Sequence, residues 1–458
     1  LQMSYAAWQA RQSQPAGNPP SLLWTTTVAY RWRRAAKFGR KTCQVSENLA
    51  GLPGKEIMRV LMITWEFPPN MVGGIGKHVA ELVPAISQNL LDDPAFHLDV
   101  LTTRAAGGAR LEEAAPNVTI HRVDTPPLAT NDIFNSVVDG NRRLETYALG
   151  LAARAPYDLI HIHDWLVASA GIALKHLWKV PLVVTIHATE RGRHQSHVPN
   201  QTSASINQME WEVCFEAWRV IVCSGFMAGE LGGYFGVPLD KTSVIANGID
   251  PAPLRGCTPE EVAGLRQRYA PNGEKLLFFV GRITPEKGLH ILLRAMPHIL
   301  RHFPEVRLLV AGKNSEQMQS LVDELRIRHA VHLLGFITDA ARNCLYNTVD
   351  AAIFPSLYEP FGIVALEAMA AGCNVIVSDV GGLSEVVHHM HNGLTVIANN
   401  PQSIAWGVDV LFQNEVRAAQ WSATAQEDAE TLYRWSDIAA RTYELYKSVV
   451  EERRDVDW

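Results

Sequence analysis

No stretch of this 458-residue chain runs 18 apolar residues without interruption; the nearest, Gly362 to Val377, is broken by Glu367 and Asn374. A transmembrane helix is therefore not expected. Cysteine is scarce. Its six copies (Cys43, Cys214, Cys223, Cys257, Cys344, Cys373) include no C-x-x-C pair, so neither a disulfide framework nor a zinc ribbon fits, and reduced cytosolic thiols are expected. Internal repeats and low-complexity tracts are also missing from the body. Clustered positive charge is missing there too. The net charge is −6, but residues 1–57 carry eight Lys/Arg against two acids, leaving 33 basic against 45 acidic residues, net −12, in the remainder. A body so acidic does not suit a nucleic-acid partner, which needs its phosphates neutralised. What is present, 47% apolar and 19% charged residues with 32 Gly and 25 Pro, describes a globular protein long enough for two domains.

The basic, Ser/Thr-rich segment 1–57 has no strand–helix rhythm and is expected to be poorly ordered. It has the composition of an organellar transit peptide. Because Met58 directly precedes a convincing first strand, it also reads as an upstream extension of a cytoplasmic protein.

From Met58 onward, short apolar runs alternate with helical spacing. The expected strands are Arg59–Thr64, Leu98–Thr103, Val118–Val123, Leu159–His161, Leu182–Ile186, Val220–Cys223 and Ser243–Ile245. A second series comprises Leu276–Val280, Val306–Ala311, Val331–Leu334, Ala351–Phe354, Asn374–Ser378 and Gly393–Val396. Near-continuous apolar strands separated by helices predict parallel sheets covered on both faces. The fold class is therefore α/β, with doubly wound domains at 58–250 and 251–434 and a last helix, within 435–458, crossing back to the first. Ligands of such sheets lie beyond the carboxyl ends of the strands, in the cleft between the domains.

Three strand-end segments carry candidate chemistry. Gly73-Gly74-Ile75-Gly76-Lys77 opens a helix, where close backbone approach and the helix N-terminus favour an anion. It is neither a dinucleotide fingerprint, since Val79 stands three after Gly76, nor a Walker loop, since His78 follows Lys77. Gly281-Arg282-Ile283-Thr284-Pro285-Glu286-Lys287-Gly288 sets two permanent cations at a strand end, able to neutralise a diphosphate without a metal. Glu359-Pro360-Phe361-Gly362-Ile363-Val364-Ala365-Leu366-Glu367 places two acids around a helix start, with backbone donors at Phe361 to Val364 between them. An acid at Glu367, on an otherwise apolar helix, demands a partner. In the first domain His161-Ile162-His163 and Thr185-Ile186-His187 end successive strands; a zinc site would want better-placed ligands. Asp-x-Asp occurs only at Asp455-Val456-Asp457, so a metal–diphosphate clamp is unsupported and no metal is expected.

Taken together, Glu359/Glu367, Gly281-Arg282 with Lys287, and Gly73-Gly74-Ile75-Gly76 resemble the motifs of retaining GT-B glycosyltransferases of family 4 (group 1). This group includes sucrose-phosphate synthases and lies close to glycogen synthases; the resemblance covers about Met58 to Lys447. It implies two Rossmann-like domains facing across a cleft. The implied activity is hexosyl transfer, chiefly glucosyl, from a UDP- or ADP-linked sugar to a sugar, glycan or lipid acceptor, without a cofactor. By the same resemblance Arg282 and Lys287 bind the donor diphosphate, helped by Gly74 and Gly76. Glu359 holds the donor sugar, Glu367 the ribose, and backbone near Gly335–Ile337 the base. His163 contacts the transferred sugar, and His187, Glu190 and Arg191 line the acceptor side. Met71-Val72-Gly73-Gly74 replaces the Lys-Thr-Gly-Gly of bacterial glycogen synthases, and Glu367 is an acid they lack; both departures favour family 4. A sugar-nucleotide epimerase, a glycan phosphorylase and a non-catalytic nucleotide-sugar-binding protein share enough of these features to stay open.

Overall fold

The computed structural model describes residues 57–71, 73–91, 93–104, 108–126, 128 and 133–456; the expectations for the basic leader lie, Ile57 apart, outside them. Two sheets are built from the described residues. The first contains β1 (Met58–Thr64), β2 (Phe96–Thr103), β3 (Leu111–Ala115), β4 (Val118–Val123), β5 (Leu159–His163), β6 (Leu182–Ile186), β7 (Arg219–Val222) and β8 (Thr242–Val244), in the order β3-β4-β2-β1-β5-β6-β7-β8. The second contains β9 (Leu276–Val280), β10 (Arg307–Ala311), β11 (Val331–Gly335), β12 (Ala351–Phe354), β13 (Val375–Ser378) and β14 (Leu394–Val396), in the order β11-β10-β9-β12-β13-β14. Every pairing is parallel except β3 with β4. The central strands are buried on both faces, as in β1 and β9, because helices cover both sides.

The strand order reverses at β1/β5 in the first sheet and at β9/β12 in the second. Helical connections then leave on opposite faces, opening a crevice at the carboxyl ends of those strands. The Gly73–Gly74, Asp164, Arg282–Lys287 and Ser356–Glu359 segments follow β1, β5, β9 and β12 respectively. Chain topology alone thus sends the motif-bearing loops to two facing crevices.

The domains are closed on each other. Ser224 Oγ donates to Pro360 O at 2.6 Å, and Tyr358 donates its hydroxyl to Glu230 Oε1 at 3.0 Å. The N–H groups of Gly225 and Phe226, opening helix Gly225–Phe235, donate across the interface to Glu385 at 2.8 and 2.6 Å, a favourable place for a carboxylate. The last helix, Trp435–Arg454, packs on helix Gly74–Asn89, its Ile438, Tyr446 and Val449 sharing one apolar core with Val60, Val79 and Ile86.

Two findings depart from the sequence reading. Strand β3 was not expected; it is an exposed antiparallel edge whose Glu112 and Glu113 give no apolar pattern. The cysteines are not all free thiols: Cys257 and Cys344 are joined in a disulfide across 87 positions, with Cα atoms 5.1 Å apart. Helix Asp339–Thr348 packs against the Pro253–Arg255 turn, so tertiary packing brings together two cysteines that no short spacing links. Cys214, Cys223 and Cys373 are free and buried.

Candidate active site

A cavity of about 470 Å³ lies between the two rows of strand ends, lined from the first domain by Glu66, Gly73, Gly74, Asp164, His187 and Arg193. The second domain supplies Arg282, Glu286, Lys287, Ser356, Tyr358, Glu359 and Phe361 to Val364. Such a volume suits a small-molecule substrate.

The cationic wall is set by a short turn. Pro285–Lys287 forms one helical turn that ends at Gly288, where φ is +69° and an added Cβ would stand 1.9 Å from Pro355 O. Only glycine permits that approach, and it brings Lys287 beside the β12 loop. Lys287 Nζ then meets Glu359 Oε2 at 2.5 Å, and Ser356 Oγ stands 3.4 Å from the same oxygen. Arg282 is more exposed and donates to Glu286 Oε1 at 3.3 Å.

Two helix N-termini face the same space. Helix Gly74–Asn89 has Gly73 as its N-cap and helix Ile363–Ala370 has Gly362, neither with a side-chain cap. Glycine caps offer no side-chain acceptor; Glu66 Oε2 accepts the Gly73 N–H at 2.9 Å and Gly362 O that of Ala365 at 3.0 Å, and an anion in the cavity would meet the first-turn N–H groups beside them.

Glu367 does not line the cavity. It is 1% exposed and held between three groups: Lys77 of the first domain on one oxygen, and Arg342 and Tyr346, each at 3.4 Å, on the other. The partner that its burial demanded is a pair of cations from two domains. Gly76 does not line the cavity either; a Cβ added there would stand 2.9 Å from Glu66 Oε2.

His163, expected to contact the sugar, does not line the cavity, whereas His187 does. His163 is buried at 1% exposure behind His187, its Nδ1 3.1 Å from His187 Nε2, while its own Nε2 has no partner. His187 is the ring that reaches the cavity. Its backbone N–H donates to Asp164 Oδ1 at 2.7 Å. His161 is a core residue between the Tyr446 hydroxyl (2.6 Å) and Thr185 Oγ1 (2.8 Å). Glu190 and Arg191 are not on the cavity wall: Glu190 accepts from Ser203 Oγ at 2.6 Å, and Arg191 lies over the Tyr234 ring at 5.0 Å. Arg193, two residues on, is the basic side chain that lines it.

Sequence reasoning did not single out Asp164 or Arg193. Asp164 is 2% exposed and holds φ 56°, ψ −178°, a region rarely occupied outside glycine and associated with functional sites. Burial pushes its pKa up to about 7, against the opposing pull of Arg193. Burial likewise pushes Glu210 up to about 8 and lowers His78 to about 4; His163 and His187 are lowered well below the usual imidazole range, first by burial and then by neighbouring rings, His161 foremost for His163 and His78 foremost for His187.

The Asp164 shift has a testable sign. The native state keeps the proton from about pH 4 to about pH 7 while the unfolded chain has released it, so this group's contribution to stability is lost as pH rises through that window. Asp164→Asn should therefore gain stability relative to wild type as pH rises from 4 to 8, by up to ~4 kcal/mol. Urea melts at several pH values measure it, and a pH-independent difference would contradict the assignment.

With this geometry in place, the relationships of the chain are clear. Residues 72–253 match the family model "Glycosyltransferase Family 4", and residues 265–428 match "Glycosyl transferases group 1". An uncharacterized glycosyltransferase of Methanocaldococcus jannaschii is 36% identical over 86% of this chain and 99% of its own length. The glycogen synthase of Mycobacterium tuberculosis is 32% identical over 85% of this chain and 94% of its own. In fold, the sucrose-phosphate synthase of Thermosynechococcus elongatus superposes with a TM-score of 0.73 at 24% identity, covering 86% of this chain and all of that one. The chain belongs to the group 1 glycosyltransferases and has the GT-B architecture. Among the described residues, no helix is long and apolar enough to cross a membrane.

Proposed function

We propose that the protein transfers a hexosyl group, chiefly glucosyl, from a nucleoside diphosphate sugar to a carbohydrate acceptor with retention of anomeric configuration. The observation that carries this reading is the convergence of Arg282, Lys287 and two glycine-capped helix N-termini on one cavity. Two fixed cations and two sets of backbone donors suit a diphosphate, whose charge grows as the glycosidic bond breaks. The second domain carries the nucleotide and the first the acceptor. Glu359, beside Lys287, takes the sugar hydroxyls; Lys287 passes to the phosphate when the donor enters. His187, not His163, faces the sugar from the opposite wall. Glu367, held by Lys77 and Arg342, supports the donor side without lining the cavity.

The acceptor attacks from the face the diphosphate leaves, and the departing phosphate oxygen takes the acceptor proton. Domain closure excludes the water that would otherwise consume the donor. The likeness to a glycogen synthase supports an α-glucan as the first acceptor to try.

The test is a screen of UDP-, ADP- and GDP-hexoses, first alone and then with glycogen, fructose 6-phosphate and lipid extracts, read by nucleotide release and by NMR of the new linkage. An α-linked product from an α-linked donor is expected. An inverted linkage, isomerised donor without transfer, or no consumption of any donor would reject the reading. Glu359→Gln should raise hydrolysis relative to transfer and lower kcat by ~10-fold or more, as loss of a positioning contact does; unchanged kinetics would make that acid structural.

A further inference from the structure

Zinc chemistry was not expected from His161-Ile162-His163 and His187 because a third suitably placed ligand was missing. The fold supplies one. His78, on helix Gly74–Asn89, comes beside His163 and His187, and one ring nitrogen from each lies within 4.8 Å of the other two. Ring centroids are 4.8 Å apart for His78–His187, 5.4 Å for His163–His187 and 5.5 Å for His78–His163. We infer that His78, His163 and His187 form a binding site for a zinc-type divalent cation that opens on the catalytic cavity, and that filling it arrests transfer.

Two features of the cluster support this. His163 Nδ1 and His187 Nε2 stand 3.1 Å apart, close to the ~3.3 Å that two nitrogens span around a tetrahedral zinc with bonds of ~2.0–2.1 Å. His78 Nδ1 lies 2.7 Å from Asn247 Oδ1; a carbonyl oxygen only accepts, so Nδ1 carries the proton and Nε2 keeps the lone pair. An outer partner that fixes the tautomer is the usual support of a metal-binding histidine.

All three ligands are imidazoles, which select zinc, copper, nickel or cobalt over magnesium and calcium. Binding forms three dative bonds and needs only a shift of one ring proton between the nitrogens of His163 or His187. His78 and His163 are buried, whereas His187 reaches the cavity. The fourth position of a tetrahedral ion therefore faces the substrate space, the arrangement of an open site. Inhibition follows because His187 then gives its lone pair to the metal instead of to the sugar; that part rests on the proposed function, whereas binding does not.

The test titrates Co²⁺ and Zn²⁺ into the full chain with the Cys257–Cys344 bond intact, without donor. One equivalent of Co²⁺ should give an intense tetrahedral visible band, displaced by Zn²⁺. His78→Gln and His187→Gln should each abolish the band and weaken Zn²⁺ by more than ~100-fold, and Asn247→Ala by ~10–100-fold, the range for an outer-shell partner. Folding of each variant is checked by its thermal melt; should His78→Gln not fold, the other two carry the comparison. A missing band, or Zn²⁺ affinity unchanged in all three variants, overturns the site. Where donor turnover is found, micromolar Zn²⁺ should suppress it, EDTA restore it and Mg²⁺ leave it unaltered. A metal band with no donor consumption would reject the transferase reading alone; turnover with no metal band would reject the site alone.

Discussion

Replacing Lys287 with alanine should lower donor turnover by ~10²-fold or more, the scale set by losing one preorganised donor to developing charge. Lys287 sits at the end of a turn whose next residue can only be glycine, so the backbone that carries its ammonium is fixed before substrate arrives. Without it Glu359 keeps its carboxylate in the cavity with no cation at 2.5 Å, and the entering diphosphate meets an uncompensated negative charge. The loss should fall mainly on kcat, because the leaving group becomes more anionic in the transition state than in the bound donor. Arg282→Ala should act in the same direction but more weakly, since that side chain is 61% exposed and its charge is screened by water. Steady-state kinetics of the two single variants and the double variant measure this. Normal donor consumption in the double variant would remove the diphosphate from this cavity.

The second large effect is on stability. Glu367→Ala should destabilise the protein by ~3–5 kcal/mol, the range for removing one member of a buried ionic cluster. The glutamate is the common anion of Lys77 from the first domain and Arg342 from the second. Its loss leaves two cations facing each other at a closed interface. Lys77→Met should cost less, because Arg342 and Tyr346 still satisfy the acid, and should loosen the contact between domains. The double variant should be more stable than the sum of the single losses implies, since Lys77 no longer needs an anion. Denaturation monitored by tryptophan fluorescence gives all three values, and a Glu367→Ala loss below 1 kcal/mol would show that the cluster is not the interdomain tie described here.

Much of this architecture was readable along the chain, for a specific reason. Parallel strands covered on both faces must be apolar almost throughout, and they stand out from the helices between them; β1, β2, β4–β7 and β9–β13 were all visible in that way, and the short β8 and β14 were expected to within one residue of their bounds. β3 was not, because an exposed edge strand with Glu112 and Glu113 has no buried face to mark it. The cationic wall was readable because Arg282 and Lys287 lie in one short strand-end turn, where sequence neighbours remain neighbours in space. Arg193 was missed while Glu190 and Arg191, which do not line the cavity, were singled out, since a single helical turn decides which of several adjacent polar side chains faces inward.

The amino-acid sequence by itself determined the strand–helix alternation, the placement of glycine, lysine and glutamate at strand ends, and hence membership of a two-domain transferase family. These are local matters of apolar period, turn chemistry and helix starts. Only the tertiary structure decided that Glu367 is bound by Lys77 and Arg342, that Cys257 meets Cys344, and that His78 joins His163 and His187. Each of these joins residues tens to hundreds of positions apart, and their meeting depends on how helices pack on a sheet and how one domain closes on another, which no spacing along the chain records.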